Sequence, residues 1–534
     1  MNSASRLIAN GLPVANGLQV AKHPVGTPPA SHFTFYILRF FLFALLPGLS
    51  LLLNLAASRL GGFTGFPLDD AWIHQTYARN LAALHQFAFV SGQPSAGSTS
   101  PLWTVLLALG YWLHIEYHVW TYTLGAALLG LNAWLAYRLV LALWPERSRA
   151  ALLAGVFVAL EWHMAWAAAS GMETLLFSAL GLAVFVMAPG RAAWLGLCVG
   201  VSVLARPDGL TLLPFALARI FFARPRGLRD ARSAPPTTLK CLLGFGVVFL
   251  PYLAFNQWLA GSIWPNTFYA KAAEYAVQRE WPLWERAILR CVPTGCEPGL
   301  GLLPFVGAQV MLAPGLALAM WQPARARQWG ALLPAGWGAV FLAAYVIRLP
   351  VTYQHGRYLM PVIPILVALG VGGSSAWLRL QARQLWLRVA SRAWLAATGL
   401  LVVVFWLNGA AAYARDVQII ETEMVATAHW VGQHTPAGAL IAAHDIGALG
   451  YFGGRRLLDM AGLVSPEVIP FIRDEDRLRE WLTAAGAEYL VTFPGWYPAL
   501  ARPLGPAVFS TRAPYSPRAG GENMAVYRWP PAHP

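Results

Sequence analysis

Charge is scarce in this chain: 12% of its 534 residues are charged, against 57% hydrophobic. Soluble domains carry about a quarter, so the shortage excludes a soluble globular protein and leaves a polytopic membrane protein. Acids are scarcer than bases, 24 against 38, which gives a net charge of +14. The excess does not form a nucleic-acid patch, because the cations sit in five connections between hydrophobic runs. These carry Arg147 and Arg149; Arg191; Arg224, Arg226, Arg229, Arg232 and Lys240; Arg325 and Arg327; and Arg379, Arg383, Arg388 and Arg392. That is the positive-inside pattern of cytoplasmic loops. The bilayer is the expected partner, and nucleic acid is not.

Cysteine is almost missing. Of the four, Cys198 and Cys241 lie in apolar runs and read as packing residues. Cys291-Val-Pro-Thr-Gly-Cys296 closes a small loop placed outside, where a disulfide could form. No neighbouring Cys or His pair favours a metal there. There is no internal repeat, which argues against a transporter built from related halves. A P-loop and a dinucleotide fingerprint are also missing.

Hydrophobic runs at 35–57, 119–143, 150–168, 172–188, 192–206, 209–223, 241–259, 301–320, 329–348, 359–378 and 393–413 predict about eleven crossings. Residues 1–34 are polar to mildly apolar, carry no cleavable signal pattern and are expected in the cytoplasm. All five basic connections fall on one side only if Leu102–His114 stays out of the membrane. As a helix that segment is about 20 Å long, short of a crossing, so it is expected along the outer interface. The topology is then N-terminus in and C-terminus out, as suits a bacterial inner (plasma) membrane. Residues 35–414 form the membrane domain, with 58–118 as the first extracytoplasmic loop and juxtamembrane helices. Residues 415–534 form a small extracytoplasmic α/β domain, with helices at 422–434 and 476–485 and strands at 439–443, 489–493 and 524–529.

On this topology the polar words all face outside: Asp69-Asp70, Ser170-Gly-Met-Glu-Thr174, Ala205-Arg-Pro-Asp-Gly209, Trp264-Pro-Asn-Thr-Phe-Tyr-Ala-Lys271 and Tyr353-Gln-His-Gly-Arg-Tyr358. Residues 66–103 are the richest stretch. Asp69 is placed to cap a helix that carries Ile73, Tyr77, Leu81 and Leu84 on one face, and Gln93–Pro101 reads as a loop. Its Asp69-Asp-Ala, Tyr77-Ala-Arg-Asn-Leu and Pro101-Leu-Trp words resemble the first extracytoplasmic loop of GT-C-type glycosyltransferases. Those enzymes take sugars from polyprenyl-phosphate carriers, and the nearest likeness is to the mycobacterial terminal arabinofuranosyltransferase family. The resemblance implies a helical membrane fold, a catalytic cavity at the outer interface and an inverting single displacement. The acceptor would be an extracytoplasmic glycan, lipid or protein.

Such a transfer needs a base, phosphate-binding cations and a greasy groove. Adjacent helical residues point about 100° apart, so only one of Asp69 and Asp70 can be the base. The resemblance favours Asp69, whereas the capping argument frees Asp70; Asp69 is preferred. Arg357, His355, Lys271, Arg206 and Tyr358 are the candidates for the donor phosphate. Glu173, His74, Asn266, His444 and Asp445 are the candidates for sugar or acceptor. Asp69, Asp70 and Glu173 could together hold a divalent cation, Mg²⁺ or Mn²⁺, although Glu173 also suits a helix N-terminus. Nucleotide sugars are not supported as direct donors. A transporter or flippase of lipid-linked envelope precursors is the alternative, but it should place ionisable groups near mid-bilayer. Here they sit at the ends of spans.

Overall fold

The computed structural model of the chain describes residues 30–223, 235–292, 295–380 and 384–530. Contacts divide it into a short unit, Met1–Phe41, and a main unit, Leu42–Pro534. The main unit takes in both the membrane helices and the C-terminal sheet.

Among the described residues six helices are long and apolar enough to cross a membrane: Phe41–Leu60, Tyr117–Leu143, Thr237–Ala260, Trp329–Arg348, Tyr353–Ser375 and Leu385–His434. The pair Ser148–Leu160 and Trp162–Ala169, bent by 51°, makes a seventh if it counts as one span. The chain is thus a polytopic α-helical membrane protein. Four of the expected crossings take other forms. Those at 172–188 and 192–206 are helices of 13 and 14 residues, Thr174–Val186 and Ala192–Ala205. At about 1.5 Å per residue each reaches roughly 20 Å. The run at 209–223 opens with a 3₁₀ turn, Pro207–Leu212, before the helix Leu213–Phe222. The run at 301–320 is broken into 3₁₀ turns at Leu300–Phe305 and Ala308–Leu312 before the helix Ala313–Arg325. Pro304 and Pro314 lack the N–H that a continuous helix would use. Leu102–His114 is observed as the helix Pro101–Trp112, with Ser100 Oγ accepting from Trp103 N at 3.3 Å.

Small residues let these helices touch. A Cβ added at Gly196 would lie 1.8 Å from the Cys241 carbonyl oxygen, and one at Gly125 would lie 1.8 Å from that of Ala168. Lipid tails give no hydrophobic drive for association between helices, so close backbone approach supplies the packing. Cys198 and Cys241 are both free and buried, as packing residues should be.

The C-terminal part is a five-stranded sheet in the order Arg456–Asp459, Leu440–Ala443, Tyr489–Thr492, Ala525–Arg528, Phe509–Ser510. The first three strands are parallel and the last two pair antiparallel. Leu440-Ile-Ala-Ala443 and Tyr489-Leu-Val-Thr492 are buried throughout, as central strands covered on both faces must be. Helices Ala426–His434 and Glu475–Ala484 accompany them. Loops leaving the carboxyl ends of the parallel strands share one edge, where sheets of this kind place their functional residues. Here that edge meets helix Asp69–Leu84. After the short helix Leu283–Ala287 a hairpin pairs Leu289–Val292 with Gly295–Pro298 and sets Cys291 opposite Cys296 in the backbone register. Their side chains lie outside the described residues.

Gly196→Val should destabilise the fold by about 1–3 kcal/mol, read as a lower midpoint of thermal unfolding in detergent. Gly399→Ala should cause no loss, because a Cβ there meets nothing within 4 Å.

Candidate functional site

Helix Asp69–Leu84 is buried on almost every side, not on one stripe: Ala71, Trp72, His74, Gln75, Thr76, Ala78 and Asn80 are buried as well as Ile73 and Tyr77. Leu84, expected on the buried face, is exposed. The surrounding words lock the loop together. Tyr77 Oη pairs with Ser95 Oγ at 2.7 Å and accepts from Gly97 N at 2.9 Å. Arg79 donates to the Tyr451 and Gly450 carbonyls at 2.8 and 3.2 Å, and Trp103 Nε1 donates to the Gly171 carbonyl at 2.8 Å.

The two aspartates take different jobs. Leu68 occupies the N-cap position with no side-chain bond, so Asp69 does not cap its own helix as the sequence suggested. Its carboxylate instead accepts two backbone N–H groups, from Gly447 at 2.7 Å and Ala448 at 2.8 Å. The approach is close enough that a Cβ at Gly447 would lie 2.0 Å from the Asp69 carbonyl oxygen. Burial and the Asp445 carboxylate push Asp69 up to about 8, against the pull of the two N–H groups. Asp70, turned round the helix, lines a cavity of about 290 Å³.

Arg357 lines the same cavity and pairs directly with Asp70. The chain reaches it through three successive left-handed residues, Gln354 (φ 55°), His355 (φ 61°) and Gly356 (φ 67°). Two of these are not glycine, a strained arrangement that persists only where the surroundings enforce it. Arg357 Nη2 donates to Asp70 Oδ2 and, at 3.2 Å, to Tyr358 Oη. Lys271 Nζ donates to the same Tyr358 oxygen at 2.9 Å. Burial alone would raise Asp70, but Arg357, Lys271 and His74 hold it well below the usual carboxylate range. Lys271 is raised: burial works against its charge, and the Tyr358 oxygen and Asp70 outweigh that.

A second group lines the same cavity. Arg206 Nη2 lies 2.8 Å from Asp208 Oδ2 and 2.5 Å from Tyr345 Oη, which also donates to Asp208. Arg206 Nε is 3.9 Å from Glu173 Oε1, and His74 Nε2 is 3.4 Å from Glu173 Oε2 without hydrogen-bond geometry. Tyr345 stacks on Tyr358 at 5.6 Å, which joins the two groups. Three buried polar atoms on cavity-lining residues have no hydrogen-bond partner: Arg357 Nη1, Glu173 Oε2 and Thr267 Oγ1.

Asp70, His74, Glu173, Arg206, Lys271, Arg357 and Tyr358 therefore share one cavity, and the other sequence candidates lie elsewhere. His355 is turned away by the left-handed run: its Nε2 is 2.8 Å from Asp416 Oδ2, between Trp162 and Trp166. Asn266 Nδ2 donates to the Leu463 carbonyl at 3.2 Å, which joins its helix to the C-terminal part. His444 Nδ1 is 2.7 Å from Tyr497 Oη and its Nε2 is 3.3 Å from Glu274 Oε1. Asp445 sits among the carboxylates of Asp70, Glu274 and Asp459; burial and these neighbours push it up to about 6 against His444. The suggested cation site is not assembled either. Asp69 spends both oxygens on amides, Asp70 faces Arg357 and Glu173 faces His74 and Arg206. Among the described residues no three His, Cys, Asp or Glu side chains are arranged to hold a metal ion. Sequence reasoning passed over Thr267, Tyr345, Arg279 and Arg348, which also line the cavity. Thr267 was within a quoted word, but Arg348 read only as the end of a span.

The fold matches solved membrane enzymes. An oligosaccharyltransferase from Archaeoglobus fulgidus, tethered with an acceptor peptide, aligns with a TM-score of 0.56 at 12% identity. The match covers 85% of this chain and 69% of that one. ArnT from Cupriavidus metallidurans, bound to undecaprenyl phosphate, aligns with a TM-score of 0.55 at 15% identity, over 94% of this chain and 98% of that one. The arabinofuranosyltransferase AftD from mycobacteria gives 0.43 at 19% identity, over 84% and 35%. The chain thus has the GT-C membrane fold. A family described as a domain of unknown function, DUF8728, matches residues 410–527. No curated protein matches in sequence.

His444 is held well above its ordinary value: burial opposes its charge, and Tyr497, Glu274 and Asp445 outweigh it. A raised histidine stabilises fully below its unfolded value and loses that contribution as pH climbs through the folded one. His444→Gln should therefore cost about 1–2 kcal/mol at pH 6. The gap from wild type should shrink above the folded value, as read by thermal unfolding across a pH series.

Proposed function

We propose that the chain is a membrane glycosyltransferase that moves a sugar from a polyprenyl-phosphate carrier to an extracytoplasmic acceptor, with inversion. The observation that carries this reading is the set of polar atoms without a hydrogen-bond partner, Arg357 Nη1, Glu173 Oε2 and Thr267 Oγ1, around one cavity. Buried polar groups left unpaired are costly. A donor at one point, an acceptor at another and a hydroxyl at a third suit a phosphate and sugar hydroxyls.

Asp70 is the base. It takes the acceptor hydroxyl proton as that oxygen attacks the anomeric carbon. The bond from that carbon to the phosphate oxygen breaks, and its electron pair leaves with the lipid phosphate. Arg357, Lys271 and Tyr358 receive the growing negative charge. A phosphate that claims Arg357 Nη1 also competes with Asp70 for the guanidinium, which makes the carboxylate a stronger base as the donor arrives. Glu173, His74 and Thr267 face the sugar. Phe341, Ala344 and Leu349 give the polyprenyl chain an apolar wall. Asp69 positions Asp70 and does no chemistry itself.

The match to an enzyme solved with undecaprenyl phosphate and to one solved with a tethered acceptor peptide supports this reading. So do the polar words at the ends of spans. The N-terminus is cytoplasmic and the C-terminal sheet extracytoplasmic in the inner membrane of a bacterium.

Transfer by purified protein in nanodiscs, with a panel of polyprenyl-phosphate sugars and mixed envelope acceptors, tests it. Asp70→Asn should lower kcat by about 10²–10⁴-fold, with Asp69→Asn, which only loosens the support of Asp70, costing less. Arg357→Lys should cost about tenfold or more, because a point charge replaces a fork of donors. Since Arg357 and Lys271 keep Asp70 ionised, kcat/KM should show no acid limb from this base down to about pH 4. Undiminished transfer by Asp70→Asn would remove the base and sink the mechanism.

A further inference from the structure

The carboxyl edge of the C-terminal sheet carries a side chain that the transfer mechanism leaves unused. Strands Leu440–Ala443 and Tyr489–Thr492 run parallel, so the loops that follow them leave on the same edge. The first loop carries His444 and Asp445, and the second carries Trp496 and Tyr497. Trp496 is 52% exposed; among the described residues after 414 the only other large exposed hydrophobic side chain is Val508. Its turn is held from both sides. Trp496 N donates to the Phe493 carbonyl at 3.0 Å, and Gly495 N donates to Glu522 Oε2 at 2.5 Å. The indole packs against Phe493 at 4.9 Å and meets His444 edge-on at 5.3 Å.

A lone exposed tryptophan is ordinary, but this one is joined through His444 to open polar groups. His444 Nε2 holds Glu274 Oε1 at 3.3 Å, and Glu274 Oε2 has no hydrogen bond among the described residues. Asp445, next on the loop, has Oδ2 buried without a partner, and it feels the charges of both Glu274 and Asp70. Lys271 and Glu274 share a face of helix Asn266–Glu274. Lys271 lines the cavity, and Glu274 stands one turn beyond it, a rise of about 4.5 Å. Polar groups therefore run from Asp70 in the cavity, by way of Asp445 and Glu274, to Trp496 at the surface.

The charges choose the ligand. His444, held in its charged form, works against a cation on the indole, and Glu274 and Glu522 work against an anion. A neutral ligand with an apolar face and hydroxyl groups remains, and a sugar ring has both. Its C–H face covers an indole, and its adjacent hydroxyls donate to a carboxylate. We infer that Trp496 and Glu274, with Asp445 on the way to the cavity, form an outer carbohydrate subsite for the acceptor. The inference rests on the transfer reading above and makes the acceptor a glycan, not a bare lipid or peptide.

Equilibrium binding to the full chain in nanodiscs tests it, with labelled linear trisaccharides of mannose, glucose, galactose, rhamnose and arabinofuranose as probes. Polyprenyl phosphate and an unglycosylated peptide library are measured on the same preparations. At least one trisaccharide should bind, and Trp496→Ala should weaken it about tenfold. Trp496→Tyr, which keeps a stacking ring, should recover most of that loss, and Glu274→Gln should weaken binding with the indole intact. Polyprenyl-phosphate affinity should stay within about twofold for both Trp496 variants, and an unchanged thermal midpoint excludes a folding defect. Trisaccharide binding that Trp496→Ala leaves unchanged overturns the subsite. So does Trp496-dependent binding of the peptides with none of the sugars. Binding of polyprenyl phosphate with no trisaccharide bound overturns the subsite and leaves the donor reading intact. Trp496-dependent sugar binding without polyprenyl-phosphate binding keeps the subsite and overturns the donor reading.

Discussion

Two backbone N–H groups donated to one carboxylate, from Gly447 and Ala448 to Asp69, are the contact on which the cavity depends. Hydrogen bonds contribute about 0.5–1.5 kcal/mol each, and burial of the acid works against its charged form. The contact fixes the first turn of helix Asp69–Leu84 and so the direction in which Asp70 points. The same loop sends out His444, which holds Glu274, one helical turn from Lys271. A single loop at the edge of the sheet thereby sets the positions of Asp70 and Lys271. Asp69 and Gly447 are 378 residues apart in the chain, yet they behave as one mechanical part.

Within this frame the strain at Gln354, His355 and Gly356 has a clear physical role. A regular helix start at Tyr353 would turn His355 and Arg357 about 200° apart without fixing either. The left-handed run sends His355 to Asp416 and the Trp162–Trp166 pocket, while Arg357 enters the cavity. His355 therefore anchors the turn that aims its neighbour.

Much of the cavity was legible in the sequence, because ionisable residues at the ends of apolar runs are expensive and conspicuous. Asp70, Glu173, Arg206, Lys271 and Arg357 stood out for that reason. The different surroundings of Asp69 and Asp70 were not legible, since they depend on amides 378 and 379 residues away that no local pattern records. His355 and Asn266 sat in the right words and face the wrong way, because orientation follows from φ angles and partners, not from spacing. The strands were legible as short β-rich runs. Helix breaks at Pro304 and Pro314 were visible as residues, but their effect was hidden inside a run that was apolar enough to pass as one span.

The seating of Leu463 on the cavity wall has a consequence for biosynthesis. During synthesis the membrane helices are inserted first, and the stretch that completes the pocket follows far behind. Until residues 444–463 have docked, Asp70 and Lys271 lack the supports that aim them. A chain still being inserted therefore lacks the finished cavity until its last hundred or so residues have folded against the helices.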